Sequence, residues 1–347
     1  MNTKLLSVGG TENNFFCKGR YSHPIKCVVV LSKKQSPTRD LYLNERLKAA
    51  RVPVYYWSLG EPLQFDLDGA YVIVVRYIDG PAMSALTQAR KALAGVAYLL
   101  DDDIQGAWRD QSLPKHYRFL MAHFWWRWHG LLEELSSELW LSSDMLARQY
   151  NAGERIDPIV TPFPLPRDRQ ANKTDTIVKI AYHGSKTHRA DLLWLRDIIA
   201  EVQTKCSHTE VEIVGDRKAK KWFRGIPRTK TLGVLPWQVY CNHVSNKRVD
   251  IGLVALLDTP FNRCRSWNKY LDVAKWGAVG VFSKSSNYAA VVEHEINGLL
   301  ISNNDPQAWV DAIVRLSNDK AYRHGLMQNI DMPHNVQTPL QFGELCH

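Results

Sequence analysis

The feature that most constrains this chain is a repeated alternation of short, continuously apolar β-rich runs with helix-patterned segments. Lys26 to Leu31 (KCVVVL), Val54 to Trp57, Tyr71 to Arg76 (YVIVVR), Val96 to Leu100 and Leu139 to Leu141 read as strands. Between them the pattern predicts helices from about Arg39 to Ala50, from Pro81, from Pro114 to Leu135, and from a Ser143 cap to near Tyr150. A strand with one wet face alternates polar and apolar residues; these runs do not, so both of their faces are covered. Such runs interleaved with helices specify a parallel sheet between helical layers.

The alternation stops at Pro158 to Asp175 (PIVTPFPLPRDRQANKTD), with four prolines in nine residues followed by a polar, aperiodic stretch. It restarts with strands at Ile177–Tyr182, Val211–Val214, Val249–Leu253, Val279–Phe282 and Gly298–Ile301. Helices are expected at Asp191–Gln203, from Pro236, from a Ser266 cap to Trp276, and from Asp305-Pro306 through Trp309, Ile313 and Leu316. The expected class is therefore α/β, with two Rossmann-like domains facing each other across a cleft. The first covers residues 1–165, the second 166–330, and a tail at 331–347 packs back on the first. A ligand crevice belongs at the carboxyl ends of the strands.

Bulk properties narrow the partners. The 347 residues suit two cores rather than one. No window is apolar enough for a spanning helix, and Met1 to Cys17 lacks an apolar leader. The six cysteines are scattered without zinc-type spacing, as expected of reduced thiols in a cytoplasm. Of the net charge of +9, residues 1–165 supply little, with 19 Lys and Arg against 17 Asp and Glu. Residues 166–347 carry 25 against 18, so the basic excess sits on the second half, which should face an anion. No nucleic-acid-binding motif accompanies it, and nucleic acid is not an expected partner.

Three groups of residues in the second half carry candidate chemistry. The loop His183 to Arg189 (HGSKTHR) joins a strand to a helix, where backbone N–H groups and the helix dipole favour phosphate. Gly184 would allow close approach, Ser185 could donate or cap, and Lys186 and Arg189 could neutralise a diphosphate. The cluster Asn262, Arg263, Arg265, Ser266, Asn268, Lys269 and Asp272 opens a second helix. There Arg265 and Lys269 can stabilise a departing diphosphate without a metal, whereas the ordinary explanation is a solvated helix start. Ser286, Asn287 and Tyr288 follow a strand at the same expected edge and read equally as a turn with a cap.

In the first half, Asp101, Asp102 and Asp103 end a buried strand. Adjacent carboxylates repel, which raises a pKa and suits a general base or an acceptor contact, whereas an acidic helix cap is the plain alternative. Arg217 to Lys230 holds seven Lys and Arg with no acid, readable as a solvated loop, an anionic-lipid patch or a nucleotide-base loop. In His116 to His129 (HYRFLMAHFWWRWH), Phe119, His123 and Trp126 share one helical face and Trp125 and Trp128 another. Core packing, sugar stacking and headgroup contact stay open for these aromatics.

Val249 to Leu316 carries, in order, Asn262-x-x-Arg265-Ser266-x-x-Lys269-x-x-Asp272, a helix ending at Ala274 and Gly277, a valine-rich strand to serine, NGLL and a tryptophan helix. This segment, with Ile180 to Leu195, resembles the donor domain of the GT-B glycosyltransferases, of the family-four-like (group 1) kind. The resemblance implies transfer from a nucleotide sugar to a glycan or lipid-linked acceptor in bacterial surface polysaccharide synthesis of the O-antigen or capsule type. It also implies Asp272 gripping the nucleotide ribose; the scattered cysteines, the basic and aromatic segments and the donor-half cations add the expectation of a cytoplasmic enzyme, peripheral at the inner membrane face, with no cofactor or metal. The chain departs where the family often has a glutamate eight residues before that acid: here stands Cys264. An epimerase or phosphorylase of the same fold, or a non-catalytic glycan-binding member, are the alternatives.

Overall fold

Two six-stranded sheets, each with all of its neighbouring strands parallel, carry the chain. The computed structural model describes residues 23–48, 50–151, 153–155, 176–245 and 247–330; most of the proline-rich connection and the tail 331–347 lie outside the described residues. The first sheet contains β1 (Cys27–Ser32), β2 (Val54–Ser58), β3 (Ala70–Val75), β4 (Gly95–Leu100), β5 (Glu138–Leu141) and β6 (Glu154–Arg155), ordered β2-β1-β3-β4-β5-β6. Its helices are α1 (Pro37–Tyr42), α2 (Asn44–Leu47), α3 (Gly80–Gln88), α4 (Lys115–Leu135) and α5 (Asp144–Gln149). The second sheet contains β7 (Val178–His183), β8 (Thr209–Val214), β9 (Thr229–Leu232), β10 (Ile251–Val254), β11 (Val279–Ser283) and β12 (Leu299–Ile301). Its order, β12-β11-β10-β7-β8-β9, is the doubly wound order of a dinucleotide fold, with the topological switch between β7 and β10. Around it pack α6 (Arg189–Lys205), α7 (Arg217–Trp222), α8 (Trp237–Ser245), α9 (Pro260–Arg263), α10 (Asn268–Trp276), α11 (Ser286–Ala289), α12 (Pro306–Asn318) and α13 (Lys320–Gln328).

The apolar runs form these strands because each sheet is covered on both sides. Val29, Leu31, Val72 and Val74 face one core, and Val28, Val30, Ile73 and Val75 the other. Helix starts follow local chemistry: Asp79, Ser143 and Asp305 accept backbone N–H bonds at the heads of α3, α5 and α12. Gly277, at φ 62°, ends α10 in the left-handed conformation that a side chain would resist.

Three expectations need correction. The helix foreseen over 39–50 breaks at Leu43 (φ −116°) into α1 and α2. The basic segment from Arg217 is not a plain loop: Asp216 caps α7 through Lys218 and Ala219, Phe223 is buried, and β9 follows. Ser266 does not cap α10, whose N-cap is Trp267 with no side-chain bond; its hydroxyl instead lies 2.6 Å from Tyr42 Oη on the first domain.

That contact belongs to a seam joining the lobes below the cleft. Phe261 and Cys264 are buried in the core of the first domain, and Phe261 meets the Tyr117 ring edge-on at 6.2 Å. Asp110 accepts the Phe261 N–H at 3.1 Å, Ser143 Oγ donates to the Cys264 carbonyl at 2.7 Å, and Trp237 Nε1 donates to Asp40 at 2.6 Å.

Candidate active site

A cavity of about 690 Å³ opens between the carboxyl ends of the two sheets. Its first-domain wall is Arg76, Tyr77, Asp101, Asp102 and Tyr117; its second-domain wall includes Ser185 to Arg189, Asp216, Arg217, Arg265, Ser266, Lys269 and Tyr288. Six cationic side chains (Arg76, Lys186, Arg189, Arg217, Arg265, Lys269) face three carboxylates (Asp101, Asp102, Asp216), a formal balance of +3. A cavity of this size and sign fits an anionic ligand such as a diphosphate ester.

The second-domain wall is built around the head of α6. The chain leaves β7 at His183, makes a turn of 3₁₀ helix over Lys186–His188 and enters α6, whose N-terminus supplies positive potential. Arg265, arriving from the loop before α10, donates to Thr187 Oγ1 and to His188 Nε2, both at 2.9 Å. Since the guanidinium can only donate, His188 Nε2 accepts, and its Nδ1–H donates to Asp191 Oδ2 at 2.8 Å. Burial, then the charges of Arg265 and Lys269, push the His188 pKa far down, so the ring stays neutral in that tautomer. Asp191 also accepts from the Leu257 N–H at 2.8 Å, and burial raises its pKa to about 7. The chain Asp191–His188–Arg265 thus orients a guanidinium whose Nε has no hydrogen-bond partner among the described residues.

Lys269, the second residue of α10, donates to the His183 carbonyl and lies 5.1 Å from the Tyr182 ring centroid. Burial lowers its pKa to about 8, against the raising influence of Asp272. Arg189 pairs with Asp216, which also caps α7. Lys186 is exposed at the rim.

On the facing wall, the three aspartates separate. Arg76 follows β3 with φ 61° and brings its guanidinium to Asp101 at 3.0 Å and to Asp102. Thr38 Oγ1 donates to Asp101 Oδ2 at 2.8 Å, and Arg265 lies 3.9 Å from Asp102 across the cleft. Burial raises the Asp101 pKa, with Arg76 opposing and Asp102 reinforcing it. Asp103 is turned away: it is 2% exposed, accepts the Gly106 N–H at 2.8 Å, and burial raises its pKa to about 6.

The other candidates, Tyr288 excepted, lie outside the cleft. Gly184 gives its N–H to Val214, and an added Cβ would meet His188 at 2.9 Å, so its smallness serves packing. Arg263 is exposed and bound to Asp258 at 2.7 Å. Asp272 engages Tyr240 on α8 and is not among the cavity's lining residues. Ser286 and Asn287 line smaller hollows behind it, where Asn287 binds the carbonyls of Asn262, Arg263 and Arg265. Tyr288 lines the cleft yet is 1% exposed. Cys264 is buried among first-domain side chains, which pushes its thiol up to about 12; it too is not among the lining residues.

Sequence reasoning missed Arg76, His188, Asp191 and Tyr117. It also missed a His183–Glu212–His243 cluster behind the wall, where Glu212 accepts from both imidazoles (3.1 and 2.8 Å) and from Lys247. Burial alone would raise the Glu212 pKa, but these three donors outweigh it and hold the carboxylate ionised. Its oxygens are taken up by that network.

Residues 178–319 match the family model described as glycosyl transferases group 1. Among solved structures, sucrose-phosphate synthase from Thermosynechococcus elongatus is similar over 92% of this chain and 98% of its own, with TM-score 0.60 and 14% identity. S. aureus TarM, in complex with fondaparinux, α-GlcNAc-glycerol and UDP, is similar with TM-score 0.55 and 13% identity over 82% of this chain; the chain spans only 56% of TarM's length. Anabaena HepE in complex with UDP gives TM-score 0.51 and 12% identity over 92% of this chain and 97% of HepE. No curated protein matches in sequence.

Proposed function

Starting from a GT-B fold whose second domain is of the glycosyl transferases group 1 type, we propose that this protein transfers a sugar from a nucleotide-sugar donor without a metal. The acceptor is a glycan or lipid-linked oligosaccharide of bacterial surface polysaccharide synthesis, and the enzyme works in the cytoplasm. The observation that carries the reading is Arg265 and Lys269 converging at the head of α6, on the second-domain wall of an interlobe cavity. As the bond from the anomeric carbon to the diphosphate oxygen breaks, negative charge grows on that oxygen. A preoriented guanidinium and ammonium stabilise it without reorganising. Arg76 engages both cleft-facing carboxylates of the first domain, so neutralising the diphosphate falls to these cations. The acceptor hydroxyl attacks the anomeric carbon, and its proton passes to the Asp101–Asp102 pair, whose burial favours the protonated form of Asp101.

A thermal-shift screen over UDP, GDP and CMP tests the donor site, UDP being the nucleotide that TarM and HepE hold. A nucleoside diphosphate should stabilise the wild type, and the shift should vanish in R265A and K269A. Equal shifts in wild type and both variants would remove the phosphate assignment. Donor turnover in the absence of acceptor, to an epimer or a sugar phosphate, would replace transfer with another nucleotide-sugar chemistry.

A further inference from the structure

The outer face of α4 plays no part in the cleft, yet it is built for contact. Of the helix's 21 residues, Tyr117, Met121, Trp125 and Leu132 turn inward and are buried. On the opposite stripe Phe119 is 69% and Trp126 67% exposed, seven residues apart; Leu120 and Leu131, also exposed, lie about 100–140° further round the helix. The Trp108 ring lies 5.9 Å from that of Trp126 and extends the patch. Single exposed apolar residues need no explanation; a stripe of large ones on a single helix does. Along α4 stand Lys115, Arg118 and Arg127, with the helix's two acids, Glu133 and Glu134, confined to its C-terminal end, and exposed Arg109 stacks on Trp108 at 4.7 Å.

We propose that this face docks on an anionic phospholipid bilayer. Aromatic rings flanked by arginine and lysine match the headgroup boundary, where apolar side chains sink while cations meet lipid phosphates. A second copy is a poorer occupant, because a two-fold contact would set the same cations against each other. Tyr117, on the inward side of the same helix, lines the cleft, so docking along α4 holds the acceptor wall one helix thickness, about 10 Å, from the headgroups. That consequence rests on the lipid-linked acceptor proposed above; the docking itself does not.

The test is co-sedimentation of the full chain with phosphatidylcholine vesicles, with and without phosphatidylglycerol. Wild type should pellet with the anionic vesicles only. F119S/W126S should partition at least about tenfold more weakly, about 1.4 kcal/mol, and R127E should also weaken. Both sites are exposed, so an unchanged thermal midpoint and unchanged UDP binding verify the fold and separate this result from the donor reading. K220A/K221A on α7 should bind within twofold of wild type. The idea is overturned if wild type stays in the supernatant, if F119S/W126S pellets like wild type, or if binding is lost in K220A/K221A instead. It is equally overturned if the stripe proves to drive lipid-free dimerisation that F119S/W126S abolishes.

Discussion

Raising the pH through 8 should weaken diphosphate binding, because the cation beneath the phosphate is a buried lysine. Burial brings the Lys269 pKa down to about 8, Asp272 pulling it up and Arg265 pushing it down. With that value the side chain is about nine-tenths charged at pH 7 and about one-tenth charged at pH 9. Binding that needs the ammonium therefore falls about tenfold between those limits, about 1.4 kcal/mol, just under the roughly 1.5–3 kcal/mol that a charged hydrogen bond contributes. Over this range the terminal phosphate of UDP is already ionised, its pKa lying near about 6. The groups facing Lys269 are Asp272, Arg265 and Asp191, besides the Tyr182 ring and the His183 carbonyl. Asp191 also titrates, near about 7, and its growing negative charge would weaken binding in the same direction. K269R separates the two, since a guanidinium keeps its charge at pH 9. Isothermal titration with UDP at pH 7, 8 and 9 should give a falling affinity for wild type and a flatter profile for K269R. The free protein should move the other way. A lysine whose folded pKa lies below its unfolded value is least favourable when charged, so its share of stability improves as pH rises from about 8 toward 10. A flat wild-type profile, or an equal slope in K269R, refutes the assignment of Lys269 as the titrating phosphate cation.

Three further outcomes are expected. R265A should weaken UDP binding about 10- to 150-fold, and R265K should recover only part of it, since a point charge cannot bridge Thr187 and His188 as the fork does; titration calorimetry reads both. D102N should lower kcat about a hundredfold or more with the donor KM little changed. D103N, at a side chain turned from the cleft, should stay within about threefold of wild type in the same steady-state assay. G280A should cost about 2 kcal/mol or more and lower Tm by about 4–8 °C, because an added Cβ would fall 2.0 Å from the Phe282 ring; a midpoint within 1 °C of wild type, read by calorimetry, contradicts that packing.

How much of the site was legible depended on whether its geometry was local. Arg265 and Lys269 lie four residues apart in a motif at the head of α10, and Ser185, Lys186 and Arg189 follow β7 at the mouth of the cleft. Strand-end position and residue type were enough for those. Arg76 could have been found by the reasoning applied to the aspartates, since it ends the apolar run YVIVVR. What concealed it is the turn to φ 61°, which points the guanidinium at Asp101 and Asp102 and depends on carboxylates 25 and 26 residues further along the chain. His188 and Asp191 looked like ordinary loop and helix-start residues, because their role exists only once Arg265 arrives from 74 residues beyond Asp191.

By itself the sequence determined the elements and their layering: buried apolar runs of strand length, capped helices between them, and a proline-rich break separating two sets. Burial of both sheet faces leaves few other ways to satisfy that pattern. Only the tertiary structure decided the partners. It split Asp101, Asp102 and Asp103 between cleft and core, gave the Ser266 hydroxyl to Tyr42 rather than to a helix end, put Cys264 into the packing between lobes, and assembled the Asp191–His188–Arg265 chain. Helix and strand periodicity reports which face of an element avoids water, whereas hydrogen-bond partners and pKa values depend on which distant elements that face meets.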